Sequence, residues 1–400
     1  MTIGTDTSTW TYASIKPEEG LAKALRHDVS EIIQIITDSG LRGRGGAGFA
    51  TGRKWKYCAA AQSEKKYIIC NADEGEPGTF KDRVILTEFP DLVFEGLTIG
   101  ARAIGATHGF IYLRAEYLYL FHHLKETINR RRENGLLGEN ILGIKGFNFD
   151  VDVRIGAGAY VCGEESALIE SIEGFRGEPR NRPPYPAEYG LGGLPTVVNN
   201  VETLAWVPCI FVNGVAWFRE VGTDESKGYK LYSVSGDVER PGVYELPMGI
   251  TVAKLLEQVG GANAKAVQVG GASGRCVLSM EFEERLIAFE DMATGGSVIV
   301  IGPGRDMLMM VKGFLEFFVE ESCGQCTPCR EGNVKLLEGV HLLEQGKCSM
   351  RYLKELCRLG ETMQVASKCG LGQSSPNAFL SVVEHFKDEI MGRVNLVTEG

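Results

Sequence analysis

Apolar positions along this chain switch between two periods, and the switches mark out its elements. Over 29–39, Val29, Ile32, Ile33 and Ile36 recur at helical spacing and Gly40 follows as a stop, which predicts a helix. Short unbroken apolar runs come next, at 67–70 (YIIC) and 110–113 (FIYL), and read as buried strands between helices. Residues 152–155 alternate like a further strand, enter the loop 156–165 (GAGAYVCGEE), and give way to a helical stripe of Ala167, Leu168, Ile169 and Ile172. This α/β segment is assigned to 1–228.

From Tyr229 the pattern changes. Strands are expected at 230–234 and 243–246 around a turn at 239–242 (ERPG), followed by a helix over 251–259. Val252, Leu255, Leu256 and Val259 stripe that helix, Thr251 suits its cap, and two glycines end it. The order suggests a small α+β unit of the β-grasp kind over 229–304, with nothing catalytic in it. Beyond about residue 305 strand signals stop, and helical stretches at 306–321, 332–345, 350–363 and 377–391 predict a helical bundle over 305–400.

Composition narrows the classes. Four hundred residues suit two or three domains. No window reaches the roughly 20 apolar residues of a membrane helix, and the polar first ten residues carry no secretory pattern, so a cytoplasmic protein is expected. A net charge of −10 without a long basic run disfavours nucleic acid or an anionic membrane surface as partner. Eleven cysteines in such a chain seldom mean disulfides.

Six of those cysteines fall between Cys323 and Cys369. Residues 322–330 (SCGQCTPCR) form a C-x2-C-x2-C run, in which Cys323, Cys326 and Cys329 can grip three corners of a cubane iron-sulfur cluster. The fourth ligand must come from Cys348, Cys357 or Cys369. Cys369 is favoured because it sits in a glycine-bearing loop, 367–372, where backbone amides can approach the cluster sulfurs. A structural zinc site is the alternative.

Three glycine or acidic loops suit ligands. Residues 43–48 (GRGGAG) match G-x-G-x-x-G, but the loop follows a helix rather than a strand, so an ordinary dinucleotide fingerprint is rejected. Its bare amides, with Arg42, Arg44, Arg53 and Lys54, still suit an anionic ligand. Residues 71–78 (NADEGEPG) follow a strand and so lie at the sheet edge where α/β ligands bind. In the third, Glu164 and Glu165 open a helix and complement its dipole. Residues 197–203 (VVNNVET) add two adjacent amides, equally compatible with a plain turn. The six histidines are dispersed and suggest no hydrolase site.

Taken in order, residues 44–49, 71–78, 158–165, 195–203 and 323–330 resemble the NADH-binding flavoprotein subunit family, and the similarity runs from about Leu41 to Phe386. That family includes the 51-kDa-type subunit of respiratory complex I and the diaphorase subunits of NAD-reducing hydrogenases and NAD-dependent formate dehydrogenases. The resemblance implies a Rossmann-like FMN domain, a β-grasp domain and a bundle carrying a 4Fe-4S cluster. It further implies that Gly45, Gly46, Gly48, Lys54, Asn71, Asp73, Glu74, Gly163, Glu164, Asn199, Asn200 and Thr203 surround FMN. Phe49, Glu76, Tyr160, Glu165 and Tyr185 would face NAD(H), with Glu76 and Glu165 at the reacting rings. The loop 369–376 (CGLGQSSP) looks closer to the soluble hydrogenase and formate dehydrogenase type, implying partner subunits with 2Fe-2S or 4Fe-4S clusters and a NiFe hydrogenase module. A 2Fe-2S domain found at the N-terminus of several such subunits is expected on a separate chain.

Overall fold

The structure is a computed structural model that describes residues 5–395; the ends of the first and last assigned segments, 1–4 and 396–400, lie outside it. Strands β1 (Tyr67–Ala72), β2 (His108–Leu113), β3 (Asp150–Ile155) and β4 (Thr196–Asn200) form one parallel sheet in the order β3-β2-β1-β4. Their connections run through helices, as parallel strands require. The chain builds outward from β1 through β2 to β3, then returns to β4 on the other side of β1. The β1/β4 boundary is therefore the topological switch point, and the crevice beyond its strand ends is the ligand position of a Rossmann-like sheet.

The strand β4 is the main departure from the sequence reading, which assigned no strand there and left its two amides equally compatible with ligand binding and with a plain turn. Its burial is nearly continuous, with both valines inside and Asn199 only 5% exposed, so pairing with β1 overrides local turn preference. The helix Val29–Ser39 forms as expected, closed by an Asp28/Glu31 capping box and by Gly40 at φ 71°.

Strands β5 (Tyr229–Gly236), β6 (Gly242–Pro247), β7 (Ile250–Thr251), β8 (Ala266–Val269), β9 (Arg275–Leu278), β10 (Leu286–Ile287) and β11 (Ser297–Ile301) follow. Five of them make a mixed sheet in the order β6-β5-β11-β8-β9, while β7 pairs with β10. The helix Val252–Val259 packs its apolar stripe on this sheet, and its Thr251 cap accepts from the Lys254 N–H at 3.2 Å.

The last part is helical: Met307–Glu321, Thr327–Glu344, Met350–Ala366, Gly370–Ser374, Asn377–His385 and Lys387–Met391. The second of these starts at Thr327, not 332, because Pro328 supplies a ready first turn. The last expected helix breaks at Phe386, and one strand pair, β12 (Cys348–Ser349) with β13 (Val394–Asn395), occurs where none was expected. Among the described residues no helix is long and apolar enough to cross a membrane.

Candidate functional site

At the switch point the motifs converge. Asn71, ending β1, donates through Nδ2 to the Gly163 carbonyl at 2.9 Å and accepts the Asp73 N–H at 3.0 Å, joining two loops. Asn199, on β4, accepts the Trp55 indole N–H at 2.9 Å. Asn200 donates to Asp82 Oδ2 at 2.6 Å and caps the helix Val201–Asn213 by accepting the Glu202 N–H. The glycine loop lies on this edge: a Cβ on Gly45 would stand 3.1 Å from the Asn200 Cβ, and Thr203 Oγ1 accepts the Arg44 N–H at 2.8 Å. Gly46 faces Gly295, and Gly48, at φ 62°, lies flat against Phe289.

The cations of the glycine loop divide in a way the sequence did not foretell. Arg44 is fully buried and donates to the Lys227 carbonyl at 2.6 Å, and Arg42 donates to the Gly48 carbonyl and lies over the Phe289 ring at 4.4 Å. Both brace the loop through carbonyl partners, although the buried Arg44 Nε has no hydrogen-bond partner. Lys54 faces the crevice, paired with Glu165 at 2.7 Å and bonded to the Val198 carbonyl. Beneath the loop, Lys81 and Lys230 share Glu202 at 3.0 and 3.1 Å, and Lys81 also meets Asp82 at 2.5 Å. Burial drives Lys230 down to about 7 against the pull of Glu202. Sequence reasoning missed this buried network; its only signal was a lysine inside the apolar strand β5.

The acids differ sharply in state. Burial raises Asp73 to about 7, and its Oδ2 is buried without a hydrogen-bond partner. Glu74 is also raised to about 7 by burial, and accepts from the Asp82 N–H at 2.8 Å and the Tyr117 hydroxyl at 2.9 Å. Glu164 caps the helix Glu165–Ile172 through Oε2, while its buried Oε1 has no hydrogen-bond partner and lies 3.5 Å from Arg182. Arg182, unsuspected from the sequence, stands 3.7 Å from Glu165 as well. Glu76 is deep: it accepts from the Tyr160 hydroxyl at 2.6 Å, from Ser273 Oγ at 2.6 Å and from the Ser273 N–H at 3.1 Å. Glu76 and Tyr160 thus tie the first sheet to the β8–β9 connection. Phe49 and Tyr185 are 44% and 54% exposed, and the Phe49 ring has the Arg53 and Lys54 cations 5.9 Å from its centroid.

Cys323, Cys326, Cys329 and Cys369 line one small recess together with Pro179, Ser322 and Leu371. Cys326 and Cys369 are the N-caps of the helices Thr327–Glu344 and Gly370–Ser374, so Cys369 heads a short helix and not the open loop the sequence suggested. Helix N-termini favour thiolates. Burial pushes the Cys329 thiol up to about 11; it raises Cys369 too, against the pull of the Leu371 and Gly372 N–H groups. Cys348 and Cys357 belong to a different core, inside the helical bundle. Among the described residues no three His, Cys, Asp or Glu side chains close on a single metal ion.

The two sites adjoin. One core cluster contains Ile69, Val198, Val161 and Leu168 from the first sheet and its loops together with Phe318, Cys329, Cys369 and Leu371. Glu164 lies close enough to Cys369 to raise its pKa, and the Tyr160 N–H donates to Glu321 at 2.8 Å. Asp73 Oδ2 and Glu164 Oε1, buried acceptors without a hydrogen-bond donor, suit a ligand that brings donors of its own, and the four thiols fit an iron-sulfur cluster beside it.

Comparison with known proteins agrees with this geometry. Residues 36–209 match the Nuo51 FMN-binding domain, 231–276 the SLBB domain, and 309–393 the NADH-ubiquinone oxidoreductase-F iron-sulfur binding region. The chain is 50% identical to the NAD-reducing hydrogenase HoxS subunit alpha of Cupriavidus necator, over 90% of this chain and 60% of that one. It is 43% identical to the NADP-reducing hydrogenase subunit HndC of Solidesulfovibrio fructosivorans (96% and 80% covered). It is 44% identical to the F 2 subunit of the NADH-quinone oxidoreductase of Rhizobium meliloti (96% and 94%). Among solved structures, a chain of an NAD+-reducing NiFe hydrogenase in the H2-reduced state superposes with a TM-score of 0.89 at 42% identity, covering 98% of this chain and 66% of that one.

Proposed function

The chain belongs to the NADH-binding flavoprotein family of the Nuo51 type, and from that premise we propose that it is the diaphorase subunit of an NAD-reducing hydrogenase. It exchanges hydride between NAD(H) and FMN and passes single electrons through a 4Fe-4S cluster to or from partner subunits. When bound, FMN converts the two-electron chemistry of the nicotinamide into the one-electron chemistry of the cluster.

The protein's part is placement. Gly45, Gly46 and Gly48 let backbone approach the flavin closely, and Lys54 offers it a cation held by Glu165. Asn71, Asp73, Glu74, Gly163, Glu164, Asn199, Asn200 and Thr203 frame it. Phe49 and Tyr185 stack on the dinucleotide, while Glu76, Tyr160 and Glu165 line its side of the crevice, Glu165 also disfavouring an anionic reduced flavin. Cys323, Cys326, Cys329 and Cys369 hold the cluster. We assign these roles to three units, 1–228, 229–304 and 305–400. The partners are 2Fe-2S and 4Fe-4S subunits and a NiFe hydrogenase module, in the cytoplasm, which keeps cysteines out of disulfides; none of the eleven cysteines is in a disulfide.

The observation that carries this reading is the shared core: the crevice at β1/β4 and the four-cysteine recess are lined from one packed cluster, with Glu164 within electrostatic reach of Cys369. The chain spans 60% of the length of the hydrogenase relative. Its 44% identity to the NADH-quinone oxidoreductase F 2 subunit makes an NADH-oxidising subunit of complex I the second reading, with a formate dehydrogenase subunit beside it. The test is anaerobic isolation of the native complex. We expect FMN, iron and sulfide in this chain, NADH-dependent reduction of ferricyanide, and a nickel-containing soluble partner. Absence of flavin together with no NADH oxidation after FMN is supplied rejects the diaphorase reading; recovery only with a membrane arm selects complex I.

A further inference from the structure

Asn333 lies on the helix Thr327–Glu344 one turn after Cys329, which puts both side chains on one face. Its side chain is fully buried and its Nδ2 donates to the Cys329 sulfur at 3.4 Å. The amide oxygen, Oδ1, is buried with no hydrogen-bond partner at all. A buried asparagine kept for packing alone is a poor choice there, since an apolar side chain of the same shape avoids the orphaned oxygen. Ser322 approaches the same sulfur from the other side, its Oγ 3.3 Å from Cys329 Sγ. That Oγ already accepts the Gly324 N–H at 3.3 Å, so its own proton is free to point at sulfur. A thiolate bound to iron has no proton to give; both neighbours must be donors.

We propose that Asn333 and Ser322 are positioning residues that set the reduction potential of the cluster by donating two hydrogen bonds to its Cys329 ligand. This deepens the reading above and rests on it. An electron added to the cluster spreads negative charge onto its sulfurs, and donors aimed at a ligand sulfur stabilise that charge, raising the potential. The donors themselves carry no electron. Cys369 has backbone donors from Leu371 and Gly372, which no side-chain change can remove; Cys329 has side-chain partners, so there a substitution can tune the potential.

The test is an anaerobic redox titration of the full chain followed by electron paramagnetic resonance, with iron and sulfide content measured first. Asn333→Leu and Ser322→Ala each lower the reduction equilibrium constant about tenfold, or about 59 mV for one electron. The Asn333→Leu protein melts no lower than the parent. If both variants keep their cluster and titrate within twofold of the parent, the inference fails while the cluster assignment stands. Loss of the cluster from Asn333→Leu with an unshifted Ser322→Ala also overturns it, making Asn333 structural; the same loss with a shifted Ser322→Ala supports it. A parent chain that binds no iron refutes the cluster reading itself.

Discussion

Asp73 shows what one residue can reveal that its letter cannot. Its loop was legible as a ligand loop because it follows β1, but the orphaned Oδ2 and the burial that raises it to about 7 depend on neighbours far along the chain, Glu116 and Glu321 among them. A carboxyl raised in this way keeps its proton in the folded protein where the unfolded chain has lost it. Its contribution to stability is therefore full below about pH 4 and is lost as pH climbs through about 7. In the flavin-free protein we expect Asp73→Asn to leave stability at pH 4 nearly unchanged and to raise it at pH 8 by about 4 kcal/mol. Urea denaturation at the two pH values checks this. The cluster cysteines were legible for a different reason: a three-thiolate grip is local, written within seven residues, whereas the placement of Cys369 beside them required the helices to fold.

Between elements, the glycines that matter are those where backbones touch. Helix Pro90–Ile104 crosses helix Val201–Asn213 so closely that a Cβ on Gly96 would stand 2.1 Å from the Leu204 carbonyl oxygen. That approach seats Val201–Asn213, whose N-terminus carries Asn200, Glu202 and Thr203 to the crevice. Gly96→Ala is expected to cost about 1–3 kcal/mol of stability through overpacking against backbone that cannot yield, and a lowered urea midpoint measures it. Nothing in the helical period says which neighbour Gly96 admits. Strand β4 was hidden for a related reason, because five residues ending in two asparagines gain their strand identity only from pairing with β1.

Across the full chain, the unit that looked functionally silent turns out to support the crevice. Phe289 packs under Gly48, Lys230 donates to the carbonyls of Arg44 and Gly295, and Ser273 holds Glu76. The second sheet thus braces the glycine loop and the acidic loop from below. Phe289→Ala is expected to weaken FMN binding about tenfold, equivalent to about 1.4 kcal/mol, while iron content stays at the parent level. Flavin fluorescence titration and iron analysis on the same preparation separate the two effects.

Local pattern was enough for the helix at 29–39, three of the four parallel strands, the β-grasp helix and the three-cysteine grip, since each rests on short-range periodicity, capping or ligand spacing. The chain also carried, in order, the motifs that identify the family. Folding in three dimensions was needed for β4 to complete the switch point and for Arg42 and Arg44 to brace the glycine loop. It alone brought the cysteine recess into the same core as the flavin crevice. These outcomes depend on burial and on contacts between distant segments, and a side chain's charge state and free donors are settled by what surrounds it, which no local pattern encodes.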